Sequence, residues 1–246
     1  MSVIYNRLLP TPGEVEVGGL LEGWDPNADT GLGRPRLALN FAVTADGSTT
    51  LADGKSGGIG DEGDLFIFRA LRDRVDAVMA GTSTIAVEGY RRLIPDETRR
   101  AEREERGLQG DALAVTISRT GVLPLEAPIF NDEDQKLVAF VPPGGSGFTR
   151  PGLEEEELDP VTPTRVMERL WARGVRSVLC EGGSKLATSL IGAGLVDDVF
   201  LTIAPMLAGG SEQGVVSGAP LDMAVDMPLA HVAERNGSLF VRWSRG

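Results

Sequence analysis

The chain has 246 residues and a formal net charge of −12, a length that suits one large domain or two small ones. The acidic balance argues against a general nucleic-acid binder, which needs a basic surface. No run of about 18 apolar residues is present to span a bilayer, and the N-terminus lacks a signal-peptide pattern. The one cysteine, Cys180, excludes an internal disulfide framework, so the default expectation is a cytoplasmic protein.

The one histidine, His231, limits the metal and hydrolytic chemistry that the chain can support. A zinc site would have to combine it with Cys180 and carboxylates, and no ligand spacing is present. A Ser-His-Asp triad would also need His231, which lies in an apparent strand with no nucleophile elbow nearby. We therefore expect no metal site and interpret His231 as a structural or surface residue.

The first third of the chain predicts two strands and a helix behind an N-terminal arm. Residues 1–35 are rich in proline and glycine and predict an irregular arm that can hold one short helix. The apolar runs at 36–43 and 75–80 predict buried strands, and the polar, glycine-rich segment 44–60 predicts a loop. Residues 61–73 begin with carboxylates and carry apolar side chains on one side, which predicts a helix.

The middle of the chain continues the alternation of helices and strands. Residues 96–106 predict a charged, solvated helix, and residues 112–118 and 136–141 predict strands. The segment 143–160 contains glycines, prolines and a run of glutamates, and predicts a flexible acidic loop. Thr162 and Pro163 fit the start of a helix that Gly174 ends.

The last third predicts a strand at 175–180, a helix at 184–194 and a strand at 197–205. Two strand patterns then flank Asn236-Gly237, which is a strong signal for a β-hairpin. Strands that alternate with helices predict an α/β fold with a mostly parallel sheet, to which the hairpin adds antiparallel strands at one edge. We interpret residues 36–246 as one domain.

Three predicted strands end in turns that suit phosphate groups. In Glu181-Gly182-Gly183-Ser184 the glycines expose N–H donors at a helix N-terminus, although a tight turn that needs positive φ explains them equally well. Gly81-Thr82 and Ser118-Arg119 follow two other strands, and an arginine fork fits a phosphate. Together the turns predict a long polyanionic ligand such as a dinucleotide, but the pattern is not G-x-G-x-x-G, which disfavours an ordinary Rossmann site.

A fourth strand end collects polar side chains that can meet a substrate. These are Asn40, Asp46, Ser56 and, in the first turn of the helix at 61–73, Asp64. Carboxylates near a cofactor commonly orient a polar ring through its N–H groups. An Asp-Gly turn remains an alternative explanation for Asp46, and a helix N-terminal acid remains one for Asp64.

Three blocks of sequence resemble the pyrimidine reductase family of riboflavin biosynthesis, which is often fused to a deaminase. They are N-F-A-V-T-A-D-G (40–47), L-R-D-R-V-D-A-V-M-A-G-T-S-T (71–84) and V-L-C-E-G-G-S-K-L-A-T-S-L-I-G-A-G-L-V-D-D-V-F-L-T-I-A-P-M-L-A-G-G (178–210). The resemblance covers roughly residues 36–243, and the deaminase motifs H-x-E and P-C-x-x-C are absent from the sequence. It implies a dihydrofolate-reductase-like fold and a homodimer.

The resemblance also implies a reaction and a role for each candidate residue. The family reduces the small molecule 5-amino-6-(5-phosphoribosylamino)uracil to its ribityl form, with hydride passing from NADPH to C1′ of the opened ribosylamine. The pyrophosphate is then expected at Gly182, Gly183 and Ser184, beside Gly81 and Thr82, and the 2′-phosphate is expected at Ser118 and Arg119. Glu181 is expected near the nicotinamide and the substrate. The candidate catalytic residues are Asp46, Asp64 and Glu181, and the candidate substrate contacts are Asn40, Asp46, Ser56 and Asp64.

Two departures from the family pattern keep other functions open. Ser48 stands where the family usually has Lys or Arg, and Gly58 stands where it usually has Trp, which predicts a wider pocket. Residues 64–69, D-L-F-I-F-R, also resemble the stretch by which dihydrofolate reductases bind a pterin through an aspartate. Dihydrofolate is therefore the second candidate substrate, and a non-catalytic NADPH-binding protein is the alternative of a different class.

Overall fold

Eleven strands form one sheet in the computed structural model, which describes residues 3–29, 31–209, 214–218 and 221–245. The strands are β1 (Ile4–Leu9), β2 (Gly13–Glu16), β3 (Arg36–Thr44), β4 (Ala77–Gly81), β5 (Leu113–Ile117), β6 (Leu137–Val141), β7 (Leu153–Glu157), β8 (Ser177–Cys180), β9 (Asp198–Ala204), β10 (Leu229–Arg235) and β11 (Ser238–Ser244). The helices are α1 (Val17–Leu20), α2 (Glu62–Arg72), α3 (Thr82–Glu88), α4 (Glu97–Glu105), α5 (Pro163–Ala172) and α6 (Ser184–Gly192). None of these helices, in the part of the chain described, is long and apolar enough to cross a membrane.

The sheet has a parallel part and an antiparallel part. Its strand order is β2-β1-β10-β11-β9-β3-β8-β4-β5-β6-β7, and the strands from β9 to β7 in that order run parallel. The strands from β11 to β2 pair in antiparallel fashion. The predicted fold class, a mostly parallel sheet flanked by helices with an antiparallel C-terminal hairpin, is confirmed.

The hairpin does not lie at the edge of the sheet, as the sequence predicted. β10 pairs with β1 through Asn6 and Arg7, so β10 and β11 lie between β9 and the N-terminal strands. The prediction of an irregular segment 1–35 is therefore wrong for β1 and β2, although the short helix within it is present as α1. Both strands are short, and β1 pairs with residues of β10 more than 200 positions away, which local patterns do not report. Whether residues 1–35 form a separable arm stays a prediction.

The acidic segment 143–160 is also not entirely a loop. It contains β7, which pairs in parallel with β6 at the far edge of the sheet. Glutamate is uncommon in strands, so this segment carries no strand signal. Glu154 and Glu156 of β7 form ion pairs with Arg173, the residue that follows α5, and charged side chains on an edge strand discourage pairing with other chains.

Alternating residues of β3 face the two layers that cover the sheet. Leu37, Leu39 and Phe41 belong to the core under α5 and α6, whereas Ala38 belongs to the core under α1 and α2. Because side chains alternate along a strand, Asn40 faces the α2 layer. This alternation places a buried amide group beside the first turn of α2.

The predicted solvated helix at 96–106 is α4, and one of its side chains is an exception to that prediction. Arg103 is fully buried and donates hydrogen bonds to the backbone oxygens of Arg72, Val75, Gln109 and Gly110. Its guanidinium therefore ties the end of α2 to the start of β4.

Asp198 fastens the N-terminal segment to the sheet. Its fully buried carboxylate accepts hydrogen bonds from Arg36 Nε at 2.7 Å and from Trp24 Nε1 at 3.2 Å. The Trp24 ring also packs edge-to-face on Phe200. A buried carboxylate that loses its charge leaves a guanidinium without its partner, and breaking such a pair is costly.

We predict that Asp198→Asn lowers the free energy of unfolding by about 3 kcal/mol, because Arg36 stays buried without a counter-charge. Urea denaturation followed by circular dichroism measures the change. Asp29→Asn is the matched control, since Asp29 is exposed and its contact to the amide of Gly31 needs only an acceptor oxygen. Equal unfolding midpoints for the two variants would show that Asp198 does not anchor the segment.

Candidate active site

A cavity of about 510 Å³ opens at the carboxyl ends of β3 and β8. Its walls come from the end of β3, the loop after it, α2, α3 and the turn between β8 and α6. In parallel sheets, ligands bind at this end of the strands. Seven of the predicted site residues line the cavity, namely Asn40, Ser56, Asp64, Glu181, Gly182, Gly183 and Ser184. The predicted residues outside the lining are Asp46, Gly81, Thr82, Ser118 and Arg119.

The glycine pair forms the tight turn between β8 and α6. Gly182 has φ 124° and Gly183 has φ 83°, which are backbone conformations that favour glycine. A Cβ on Gly183 would lie 3.3 Å from Thr84 Oγ1, so the turn of α3 and the turn of α6 pack closely. The tight-turn explanation of the pair is therefore confirmed, and a phosphate at its amides stays a prediction.

Two helix N-termini meet at this turn. α6 begins after Gly183 and α3 begins after Gly81, and neither glycine can cap its helix with a side chain. The amide of Gly81 donates to the carbonyl oxygen of Gly182 at 3.3 Å, which joins the two turns. First-turn N–H groups without capping side chains, together with the positive ends of two helix dipoles, favour an anion.

Ser118 and Arg119 follow β5 directly beside Gly81, because Ile117 is the register partner of Gly81. Ser118 is buried, and its hydroxyl donates to the carbonyl oxygen of Val122 at 2.8 Å. Arg119 is exposed and makes no ion pair with any residue that the structure describes. The expected contact of its guanidinium with an anion at the two turns stays a prediction.

Glu181 is held by Arg72 and Tyr90, which the sequence analysis did not identify. Arg72 Nε and Nη2 each lie 2.6 Å from a different oxygen of the Glu181 carboxylate. The Tyr90 hydroxyl donates to Oε2 at 3.0 Å. Burial raises the pKa of Tyr90 well above its usual value, and the nearby Glu181 carboxylate adds to this shift. The Tyr90 hydroxyl therefore remains a donor. Arg72 also stacks on Phe68, with 4.2 Å between the guanidinium carbon and the ring centroid.

Asp64 lies in the first turn of α2, where Asp61 caps the helix by accepting from the amide of Asp64 at 3.1 Å. Burial raises the pKa of the Asp64 carboxyl, and a hydrogen bond from Thr202 of β9 partly opposes that shift. A Cβ on Gly60 would collide with the carboxylate, so glycine is needed there. Leu65 and Phe68 of the same helix line the cavity beside it.

The first turn of α2 is held in place from two neighbouring strands. The Tyr5 hydroxyl of β1 donates to the carbonyl oxygen of Gly63 at 2.8 Å. Arg235 of β10 pairs with Asp61 and with Glu62, each at 2.9 Å. A Cβ on Gly63 would lie 3.0 Å from Phe240 and 3.2 Å from Tyr5, so the helix approaches the sheet as closely as a glycine allows.

Ser56 is oriented by Glu88, the last residue of α3. Glu88 Oε1 accepts from the amide of Ser56 at 3.0 Å and from its hydroxyl at 2.9 Å. Both residues line the cavity, as do Thr49, Thr50 and Thr84. Glu88 and the threonines are not predictable from the sequence, because a glutamate at a helix end and hydroxyls in a polar loop carry no distinctive signal.

Asp46 lies outside the cavity lining and connects two loops. Its carboxylate accepts from the Thr44 hydroxyl, from the amide of Gly209 at 2.7 Å and from the amide of Ala208 at 3.2 Å. These hydrogen bonds lower the pKa of Asp46 to about 2, and the bond from Thr44 contributes most to that shift. Asp46 thus ties the loop after β3 to the loop after β9. Gly210, which ends the third resembling block, lies outside the described residues.

The two departures from the family pattern have local explanations. The Ser48 hydroxyl is directed at the carbonyl oxygen of Thr50 inside its own turn. Gly58 is absent from the cavity lining, and Leu51 Cδ1 lies 2.7 Å from the place of a Cβ. The expected widening at Gly58 stays a prediction.

His231 is buried in β10, away from the lining of the large cavity. Burial, and next the nearby charge of Arg242, lower the pKa of His231 to about 4. The imidazole is therefore neutral near pH 7. Of the two roles that the sequence left open, the structural one is confirmed and the surface one is wrong.

Comparisons with known proteins identify relatives over most of the chain. The family model described as the RibD C-terminal domain matches residues 35–238. A 2,5-diamino-6-ribosylamino-4(3H)-pyrimidinone 5′-phosphate reductase of Archaeoglobus fulgidus is 30% identical over 188 residues, which cover 74% of this chain and 86% of that protein. A protein of the same name from Methanothermobacter thermautotrophicus is 31% identical over 203 residues, covering 78% of this chain and 88% of that protein.

Solved structures share the fold. A pyrimidine reductase-like protein from Corynebacterium diphtheriae has a TM-score of 0.74 at 20% identity, covering 93% of this chain and 97% of its own. A diaminohydroxyphosphoribosylaminopyrimidine deaminase/5-amino-6-(5-phosphoribosylamino)uracil reductase from Thermotoga maritima has a TM-score of 0.71 at 21% identity, and the match spans 86% of this chain but 56% of the longer one. The dihydrofolate-reductase-like fold is thereby confirmed.

We predict that Arg72→Met destabilises the protein by about 3 kcal/mol or more, because the Glu181 carboxylate stays buried without its partner. Urea unfolding measures the loss, and Arg69→Met on the exposed side of the same helix is the control. Tyr90→Phe removes a single hydrogen bond to Glu181 and should cost about 1 kcal/mol. If Arg72→Met and Arg69→Met unfold at the same urea concentration, the ion pair does not stabilise the site.

Proposed function

The chain belongs to the RibD C-terminal domain family, and we propose from this premise that it reduces a ribosylamino-pyrimidine of riboflavin biosynthesis with NADPH. Two relatives that align over most of the chain are named as reductases of such a compound. The observation that carries the proposal is the cavity, which has the N-terminus of α6 at one end and the partly buried carboxyl group of Asp64 at the other. These ends suit the phosphates of a dinucleotide and the N–H groups of a pyrimidine.

The residues at the glycine turn fit the phosphate groups of NADPH. The first-turn amides of α6 and α3 can donate to the pyrophosphate, and Gly182 and Gly183 leave room for it because they carry no Cβ. Thr84 and Ser184 line the cavity next to these amides and can donate hydroxyl groups. When bound, NADPH supplies the hydride for the reduction.

The side chains around the cavity supply alignment and electrostatics. We assign Asn40, Ser56 and Asp64 to the substrate, since they line the cavity on the side of α2 and β3. Glu181 supports the nicotinamide end, where Arg72 and Tyr90 keep its carboxylate fixed. Asp46 acts by positioning, because it holds together the loops that follow β3 and β9. Fixing donor and acceptor in one geometry is the main source of rate in such a transfer.

Ser118 and Arg119 are assigned to the 2′-phosphate, which distinguishes NADPH from NADH. The support is the position of Arg119, which is exposed and follows the strand beside Gly81. An arginine can hold a phosphate by two parallel hydrogen bonds, which a ribose hydroxyl does not match.

Dihydrofolate is the second candidate substrate, and Asp64 is the observation that favours it. A partly buried carboxyl group in a cavity lined by Leu65 and Phe68 suits a flat heterocycle with N–H groups on one edge. The same residues also suit an aminopyrimidine, so the two substrates need a direct comparison.

We further propose a homodimer, which the family resemblance implies. Leu229 of β10 and Leu239 of β11 are exposed on the antiparallel part of the sheet, and burying apolar side chains favours association. Sedimentation velocity distinguishes a dimer from a monomer.

The experiment that tests the function follows the absorbance of NADPH with each substrate. The wild-type protein should oxidise NADPH when the ribosylamino-pyrimidine 5′-phosphate is present. It should oxidise NADPH more slowly when dihydrofolate is supplied instead. Binding of NADPH without turnover of either substrate would favour the non-catalytic alternative, which Ser48 keeps open because it stands in place of a family cation.

We predict that Arg119→Ala weakens NADPH binding by about 1.5–3 kcal/mol and leaves NADH binding nearly unchanged, because only NADPH carries the 2′-phosphate. Isothermal titration calorimetry with both cofactors measures the difference. Arg165→Ala on α5, outside the cavity lining, is the control for the loss of one positive charge. Equal losses of affinity for the two cofactors would remove Arg119 from this role.

A further inference from the structure

A second, much smaller cavity adjoins the large one at Asn40. It measures about 20 Å³, and its lining comes from α1, α2, β3 and the strands β9, β10 and β11. Among the described residues, Asn40 is the only one that lines both cavities. Since roughly 10–15 Å³ is enough for one water molecule, the small cavity has room for a single water molecule or a single monoatomic ion. It is too small for a phosphate or a carboxylic acid.

Three buried polar atoms at the small cavity have no hydrogen-bond partner among the residues that the structure describes. They are Nε and Nη1 of Arg242 and Nε2 of His231. The two side chains lie next to each other because His231 of β10 is the register partner of Arg242 of β11. Arg242 is 8% exposed and His231 is 3% exposed. Buried polar atoms are nearly always hydrogen-bonded in folded proteins, so these three are expected to bond to an occupant of the cavity.

The charge of Arg242 is not compensated by an ion pair within the described part of the chain. Its Nη2 donates to the carbonyl oxygen of Glu22 at 3.3 Å, which is a neutral acceptor. Asp198 acts on Arg242 from β9, but its carboxylate is already paired with Arg36. Arginine does not lose its proton in proteins, so a buried guanidinium needs an anion rather than a change of protonation state.

His231 presents an acceptor or a donor to the cavity according to its protonation state. A hydrogen bond with the backbone of Gly19 favours the protonated ring, and since Nε2 has no partner, Nδ1 is the nitrogen that donates in it. The neutral ring therefore turns the lone pair of Nε2 towards the cavity. The protonated ring turns an N–H group towards it instead.

We propose that the small cavity binds one chloride ion, which accepts hydrogen bonds from Nε and Nη1 of Arg242 and from Nε2–H of a protonated His231. The ion compensates the buried guanidinium, and apolar side chains such as Leu21, Ile67 and Phe240 complete the lining and strengthen the attraction by excluding water. A neutral His231 repels the ion through its lone pair, and a water molecule then replaces it. Chloride and the proton therefore bind together, and each raises the affinity for the other.

The groups around His231 give this coupling its sign. The charged residues near the imidazole or near Arg242 are Arg7 of β1, Glu22 after α1, Arg36 of β3, Arg74 after α2 and Asp198 of β9, and Asp64 of α2 bonds to Thr202 in the lining. Burial first, and then Arg242, lower the pKa of His231 from 6.5 to about 4. The unfolded chain therefore takes up a proton more readily, and the fold loses stability as the pH falls through this interval. Chloride offsets that loss, so it should stabilise the protein more near pH 5 than near pH 7.

The first measurement is the pKa of His231 in two salts. Because His231 is the one histidine of the chain, NMR identifies its ring signals without ambiguity. The ring is titrated from about pH 5 to about pH 8 in sodium chloride and in sodium gluconate of equal ionic strength, since gluconate is too large for the cavity. The pKa should be higher in saturating chloride by about 1–3 units, as for an opposite charge in contact. Equal titration curves in the two salts would overturn the proposal.

Variants locate the effect at the cavity. The chloride affinity is obtained from the rise of the urea midpoint with chloride concentration near pH 5, against gluconate of equal ionic strength. Arg242→Gln should weaken this affinity roughly tenfold or more, because a charge-assisted contact is lost. His231→Gln should retain chloride binding and lose its dependence on pH. Lys136→Gln removes an exposed positive charge and is the control that should match the wild type.

An unchanged chloride affinity in Arg242→Gln contradicts the proposal. The wild type decides the question if that variant does not fold. Its crystals are grown near pH 5 in sodium bromide, because bromide replaces chloride and is located by its anomalous scattering. A bromide ion within hydrogen-bond distance of Nε and Nη1 of Arg242 supports the site, and a water molecule at that place overturns it.

Discussion

The buried ion pair between Arg72 and Glu181 is the contact on which the site depends. Glu181 immediately precedes the glycine turn, and Arg72 lies in the last turn of α2. Asp64 lies in the first turn of the same helix, about 12 Å away along its axis. One helix thus connects the proposed cofactor end of the cavity with the proposed substrate end. A shift of α2 would move both ends together, because the bidentate pair leaves little freedom between the helix and the turn.

The N-terminal segment also supports this arrangement, although it precedes the part of the chain that matches the family. The family match begins at residue 35, whereas Tyr5 and Trp24 precede it. Tyr5 bonds to the carbonyl oxygen of Gly63, and Trp24 bonds to Asp198 on β9, the strand that also carries Thr202. The segment therefore supports Asp64 from two directions, through the helix that bears it and through the strand that bonds to it.

Local patterns in the sequence were enough for the parallel strands other than β7 and for the tight glycine turn. Long apolar runs such as 36–43 and the Asn236-Gly237 turn have strong short-range signals, and both formed as predicted. The strand β7 was missed because glutamate is uncommon in strands, and β1 was missed because its partner β10 lies more than 200 positions along the chain. For the same reason Arg72, Tyr90 and Glu88 were missed, since each acquires its role only when the fold brings it to a residue far along the chain.

The three carboxylates that the sequence singled out illustrate how environment assigns roles to identical groups. Asp46 is exposed and accepts several hydrogen bonds, which lower its pKa to about 2 and commit it to holding loops together. Glu181 is buried, but Arg72 compensates its charge and occupies both of its oxygens. Asp64 is partly buried with a hydroxyl as its partner and no ion pair among the described residues, and burial raises its pKa. A carboxyl group in that setting gains most from a ligand that brings N–H donors to it, which is what an aminopyrimidine provides.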